Sequence, residues 1–272
     1  MKRFSILMIA ALASLTFASC QKDTTPTNPL ESTTVDDNQV TSYVDDATNE
    51  INDVTMKSDN SQSAALAAFA TDSTAASRTV AITFSGDTII KTVTYVNWTN
   101  PNSNNGHVKN GVIRIAILGG PLQSTFLRIA TFQNFSIDGN AIEGTRTITK
   151  TSDNVYTYTL TGGKVTFTDG TTYTRTSTQT RTWVDGFDTP FNIWDDIWTI
   201  EGSETGVNRS GMTYTHTIVN PLMIKLSCRW IVSGTIDITV GTENATVDYG
   251  DGACDNQATL TYNGKTYDFN LR

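Results

Sequence analysis

The sequence predicts an all-β protein, an antiparallel meander forming one large curled sheet or a β-sandwich. Three observations carry that expectation. From Arg78 to Arg272 apolar and polar residues alternate with a period of two, as in "RTVAITF", "VIRIAIL", "VYTYTL", "KVTFT", "ATVDY" and "ATLTY". That is the period at which side chains leave opposite faces of a strand. The recurring residues are Thr, Val, Ile and Tyr, whose branched or aromatic side chains suit a pleated surface. Asp138-Gly139, Asp169-Gly170 and Asn263-Gly264 separate such runs, and these dipeptides tolerate the positive φ of two-residue hairpin turns. Strands joined this way pair with their chain neighbours, so order in sequence predicts order in space.

The elements ahead of the strands differ in kind. Residues 1–19 read as a signal peptide: Lys2 and Arg3 are basic, Ile6 to Phe17 is apolar except for Ser14 and Thr16, and Ala18 and Ser19 are small, as a signal peptidase requires. The apolar run is short of the ~20 residues that span a bilayer. Phe17-Ala18-Ser19-Cys20 resembles a bacterial lipobox. In that motif a diacylglycerol alkylates the thiol and the chain is cut before it. The likeness implies a lipid on Cys20 and a membrane as partner; each buried acyl methylene contributes about 0.8 kcal/mol.

Residues 20–38 hold Pro26, Pro29 and a run of threonines but few apolar side chains, the composition of a solvated tether. Residues 39–77 form a helical and linker segment. Val40, Val44, Ala47, Ile51 and Val54 follow helical spacing between flanking acids, predicting a short amphipathic helix docked on the main domain. "SAALAAFA" offers a second short helix. Residues 78–272 are the all-β domain.

Net charge is −8, and −10 without Lys2 and Arg3. An acidic chain with no basic cluster argues against nucleic acid as a partner. With Cys20 committed to lipid, Cys228 and Cys254 remain, and an even remainder in an oxidising compartment predicts a disulfide.

One strand does not fit a dry core. In "TTYTRTSTQTRTW" threonine takes every even position from Thr172 to Thr182, while Tyr173, Arg175, Ser177, Gln179, Arg181 and Trp183 take the other face. A central sandwich strand has one apolar side. This one is expected in a sheet wetted on at least one side, or lining an open groove.

Two segments have residues that suit a site. "TWVDGFDTPFNIWDDIWTIEG" brings Trp183, Asp188, Trp194, Asp195, Asp196 and Trp198 together. Aromatic rings stack on sugar faces and carboxylates accept from hydroxyls, so these six are the candidate ligand-binding residues. A carboxylate pair there would also suit a glycosidase, and the plain alternative is a one-turn helix or tight loop plugging the core. In "DYGDGACDN", Asp248, Asp251 and Asp255 form a candidate calcium loop, without EF-hand spacing. No nucleophile elbow, Cys–His pair, phosphate loop or dinucleotide fingerprint occurs. His107 and His216 each read as structural. No catalytic residue and no cofactor is expected.

The order of "IDGNAIEGTRTIT", "GGKVTFTDGTTYTRTSTQTRTW", "GFDTPFNIWDD", "TGVNRSGMTYTHTIVNPL", "CRWIVSGTIDI" and "DYGDGACDNQATLTYNGKTYDFNLR" over Val108 to Arg272 resembles a group of Bacteroidota lipoproteins with no established activity. The resemblance implies secretion, lipidation and an all-β domain, and assigns no functional residue. In such lipoproteins a Lys beside an acid after the lipidated cysteine, as in Gln21-Lys22-Asp23, is similar to a surface-export signal. The expected address is therefore the outer membrane, outward-facing rather than periplasmic. The expected role is non-catalytic binding of a glycan or protein. The alternative is envelope assembly or carriage of an apolar ligand inside a half-closed barrel.

Overall fold

A computed structural model describes the helical residues Gln39, Val40, Tyr43 and Ala47, and residues 76–99, 106–120, 123–189, 192–228 and 230–271. The signal, Cys20, the tether and "SAALAAFA" lie outside the described residues, as do Val44, Ile51 and Val54 of the helical stripe.

Among the described residues thirteen strands form one sheet: β1 (Ser77–Ser85), β2 (Thr88–Trp98), β3 (Lys109–Gly119), β4 (Phe126–Ile137), β5 (Asn140–Ser152), β6 (Val155–Thr166), β7 (Thr172–Asp185), β8 (Ile197–Val207), β9 (Thr213–Lys225), β10 (Ile231–Val240), β11 (Glu243–Asp251), β12 (Gln257–Tyr262) and β13 (Lys265–Asn270). Each pairs antiparallel with the next, and spatial order equals chain order throughout. The predicted meander is what the chain adopts, as a single sheet that does not close: no pairing joins β1 to β13 among the described residues.

The turns explain the strict order. Asp138 and Gly139 have φ of +50° and +79°, and Asn263 and Gly264 have +51° and +70°, the mirror-image turn that matches strand twist. Asp169-Gly170 departs from the two-residue expectation. The loop from β6 to β7 is longer, closed by Phe167 N–H donating to Thr171 O and Gly170 N–H to Phe167 O, both 2.9 Å. The Asp169 carboxylate accepts from Thr171 and pairs with Arg209, which stabilises the wider turn.

Curvature comes from irregular positions inside the strands. Register shifts fall at Glu143/Thr145, Leu160/Gly163 and Ile200/Ser203 on successive parts of the sheet. Bulges bend a strand and increase its twist. Gly202 shows why such a position excludes a side chain: its φ is +134°, and a Cβ there would lie 2.2 Å from the Thr178 carbonyl oxygen.

The concave face holds the core. Val93, Ile113, Ile115, Phe135, Ile137, Tyr173, Tyr214, Val240 and Ala258 belong to one buried cluster drawn from strands across the sheet. Val40, Tyr43 and Ala47 join it, so the helical segment docks on the sheet as expected. Its anchor is polar as well. The buried Asn140 amide donates to Tyr43 Oη at 2.9 Å and to Ile137 O at 3.1 Å, and accepts from Thr168 N–H at 3.2 Å. Burying such an amide is tolerated because its groups are satisfied.

Cys228 and Cys254 form the expected disulfide, 26 residues apart. Closing that loop contributes about 3.5 kcal/mol in the chain-entropy model. It ties the β9–β10 connection to the β11–β12 connection. The two edges differ. β1 leaves Val80, Ile82 and Phe84 exposed, whereas β13 carries Lys265 and Asp268, the charged edge expected to discourage further pairing.

Candidate functional site

Eight consecutive strands, β4 to β11, contribute to a single cavity of about 510 Å³ on the concave face, together with Val40 and Ala47 of the helical segment. Laid flat, eight strands ~4.8 Å apart would spread over roughly 34 Å. One cavity reaches all of them because the sheet is curled.

The unusual strand is its centre. Tyr173, Arg175, Ser177, Gln179 and Arg181 of β7 line the cavity, and the threonines between them take the convex face. Both readings for "TTYTRTSTQTRTW" hold: the odd-numbered residues from Tyr173 to Arg181 line the groove, and Thr172, Thr176 and Thr178 on the other face are exposed. In an antiparallel sheet, directly paired residues share a face. Ser177 pairs with Glu204, Gln179 with Gly202 and Arg181 with Ile200, which carries the polar row into β8. The absent side chain at Gly202 lets the β8 backbone pack closely against β7 at Thr178 and Gln179.

The cavity has two chemically distinct walls. Toward β5–β7 it is cationic. Arg146, Lys164, Arg175 and Arg181 line it, against Glu143 and Glu204. Lys164 Nζ donates to Glu143 at 3.1 Å. The Arg181 guanidinium lies 4.3 Å from the Tyr158 ring centroid and that of Arg146 lies 5.7 Å from it, distances at which a ring face attracts a cation. Arg181 Nη2 also donates to Gln179 Oε1 at 3.1 Å. Arg128 stands on the same face, since it pairs with Ile148 and Ile148 pairs with Tyr158. Burial lowers the pKa of its guanidinium, offset in part by Tyr158. Toward β8–β10 the lining is richer in aliphatic side chains, Ile200, Ile218, Leu222, Ile224, Ile231 and Ile236, beside Ser203, Glu204 and His216.

A charged cluster buttresses the wall between them. The Glu204 carboxylate meets His216 Nδ1 at 2.9 Å and Arg175 Nη2 at 3.6 Å, with all three side chains largely buried. Burial pushes the Glu204 pKa up. The hydrogen bond from His216 and the charges of Arg175 and His216 outweigh it and hold the carboxyl below its ordinary value. Tyr214 packs its ring 5.0 Å from His216 and donates its hydroxyl to Thr174 O at 3.0 Å. Burial drives that phenol up to about 12, so it stays a neutral donor.

The six residues singled out from sequence are split by the structure. Ile193–Asp195 is a single 3-10 turn, the one-turn helix weighed as the plain reading. Trp183 and Trp198 pair across β7 and β8 and stack at 5.3 Å with an 11° interplanar angle; Tyr156 packs on Trp198 at 5.7 Å. These rings are half-buried and extend the core. Trp194 is 67% exposed. Asp188 and Asp195 are exposed, and Asp195 accepts from Thr189 Oγ1 at 2.8 Å. Asp196 is 6% exposed. Burial raises its pKa, the Trp183 indole beside it lowers it, and Asp195 raises it again. The turn thus separates Asp195 and Asp196 into a solvated and a buried carboxylate.

In the calcium candidate, Asp248, Asp251 and Asp255 each accept a backbone N–H two residues on, from Gly250, Ala253 and Gln257. Their carboxylates close their own turns. Among the described residues no three His, Cys, Asp or Glu side chains gather in a metal-binding group. His107 bonds Asp138 at 2.5 Å near the β4–β5 turn.

Arg146, Glu204 and His216 were not site candidates from sequence. Each sits in an ordinary alternating strand, and their convergence depends on the register across five strands. Comparison with family models, curated proteins and solved structures finds no match for the chain.

Proposed function

We propose that this chain is a binding protein of the cell envelope, held by lipid at Cys20, that takes a small amphipathic or apolar molecule into its concave face. The observation that carries the reading is the cavity of about 510 Å³ at the centre of the curled sheet, lined by aliphatic and aromatic side chains with a limited set of charged and polar ones. Ligand pockets are typically ~300–1,000 Å³ and mostly apolar, with a few placed polar groups. The stacked pair Trp183 and Trp198 supports the role of core rather than sugar platform. The apolar-ligand carrier is therefore favoured over the glycan binder, and no hydrolytic step is proposed.

Titration of the purified mature domain with the neutral fluorophore N-phenyl-1-naphthylamine tests the reading. Saturable enhancement at one site per chain is expected. Ile218 is half-buried on the aliphatic wall, and Ile218→Trp should fill the space and weaken binding at least tenfold while the fold stays cooperative. Equal binding by this variant would move the ligand elsewhere, and no saturable signal in either protein would remove the reading. Cys20→Ser should shift the full chain from the membrane to the soluble fraction.

A further inference from the structure

We propose that β1 is a self-association edge: it pairs antiparallel with β1 of a second copy of this chain, about a two-fold axis through Ile82, and joins two sheets into one. The pairing is independent of what the cavity holds.

The backbone of β1 is regular and open on one side. Ser77 to Ser85 pair residue for residue with Val96 to Thr88, and no register shift interrupts them. The turn between the strands is Gly86-Asp87, with Gly86 at φ +57°, a two-residue hairpin. Its closing pair, Ser85 and Thr88, exchanges both backbone hydrogen bonds, and the alternation of an antiparallel ladder then ties Thr83, Ala81 and Thr79 to β2. The N–H and C=O groups of Phe84, Ile82 and Val80 therefore point off the edge, where the sheet has no further strand among the described residues. Ser77–Ser85 contains no proline, glycine or acid, and a long edge without such guards is a template for pairing.

The same three residues carry the exposed apolar side chains. Val80 is 44%, Ile82 38% and Phe84 74% exposed. They pair with Val93, Lys91 and Ile89, of which Val93 and Lys91 are buried. The core face thus runs on to the edge of the sheet and is uncovered there.

A second copy of β1 is the strand that fits. The two-fold sets Ile82 against the partner's Ile82, Val80 against the partner's Phe84, and Phe84 against the partner's Val80. Directly opposed β-branched and aromatic side chains share a face and stabilise a ladder, so each exposed apolar side chain meets another. The charges agree with the same axis. Arg78 is the charged residue of β1, and Asp87 stands exposed in its turn. Antiparallel self-pairing sets each basic strand end beside the partner's acidic turn and holds the two Arg78 residues roughly 27 Å apart along the edge. Arg78 keeps its place over the Trp98 ring at 5.4 Å, since the attraction acts between strand ends and needs no new contact. The β13 strand of another copy is a poorer match: it has six residues against nine, with Lys265 and Asp268 among them.

Sedimentation equilibrium on purified Cys20→Ser protein tests the assignment, and a monomer–dimer equilibrium is expected. Ile82→Lys puts two ammonium groups face to face on the axis and should weaken association at least tenfold, with urea unfolding unchanged because the side chain is at the surface. Phe84→Ser should weaken it through lost apolar contact and serves if the first variant fails to fold. Ile82→Cys in the same background should give a disulfide-linked dimer on mild oxidation, because directly hydrogen-bonded residues have Cα atoms ~5.5 Å apart, within disulfide reach. Thr79→Cys falls opposite the partner's Ser85 and should not cross-link.

A monomer at every concentration overturns the proposal and leaves the edge to a strand of a different protein. A dimer that both surface variants leave at full strength forms elsewhere on the molecule and overturns it too. Oligomers that grow past the dimer with concentration replace the two-fold by β1 pairing with β13 of the next copy. Equal cross-linking of Ile82→Cys and Thr79→Cys overturns the register.

Discussion

Replacing Glu204 with alanine is expected to lower the free energy of unfolding at neutral pH by about 3–5 kcal/mol, the loss typical of breaking a buried ion pair from one side. Its carboxylate lies between Arg175 and His216. Deleting it leaves two basic groups facing each other in a largely buried wall. Glu204→Gln keeps the shape and a hydrogen-bond acceptor, so it should destabilise less and alter the pH dependence instead. The folded-state pKa of Glu204 lies below that of an ordinary glutamate. Its contribution is therefore complete above about pH 4.5 and is lost as the pH falls through the folded value. In the wild type stability declines over that acidic window. In Glu204→Gln the decline should be shallower, with the two curves converging at the acid end. Urea unfolding from pH 7 to pH 3 measures both effects. Parallel curves for wild type and Glu204→Gln would show that the carboxyl is not linked to folding.

Gly202→Ala is the second large effect. The residue must adopt a φ of +134°, and its new Cβ would fall 2.2 Å from the Thr178 carbonyl oxygen and 2.8 Å from Gln179 Cα. Both obstacles are backbone, so relief requires β7 and β8 to part. Backbone strain of this kind amounts to about 1–3 kcal/mol, and the clash adds to it. A loss of about 3 kcal/mol or more is expected in chemical unfolding. Gly162→Ala provides the control. Gly162 also has positive φ, +61°, but nothing lies within 4 Å of its Cβ position, so it isolates the conformational component, about 1 kcal/mol. Similar losses in the two variants would show that close packing at Gly202 is not what holds the bend.

Much of the architecture was legible because it is local. Period-two runs such as "VIRIAIL" and the turns at Asp138-Gly139 and Asn263-Gly264 specify antiparallel neighbours without any long-range information. The disulfide followed from the parity of cysteines. The exception to the pattern, Tyr173 to Trp183, was the most useful signal: arginines and glutamine on what should be a core face mark a strand that lines a space. What sequence did not give was the partner set. Glu204 and His216 meet because Glu204 faces His216 in register, and Arg146 approaches Arg181 only because both flank Tyr158. Density of Trp and Asp in one segment was a weaker guide. A turn can place adjacent carboxylates, Asp195 and Asp196, in water and in the interior respectively, and composition does not show which.

The agreement of spatial and chain order from β1 to β13 also governs how the molecule reaches its native state. Every ladder closes a loop barely longer than the two strands it joins, so the conformational search for each pairing is short. Low contact order of this sort is associated with rapid acquisition of structure. A chain delivered end first can zip hairpin upon hairpin as it emerges, with no step that waits for its last residues.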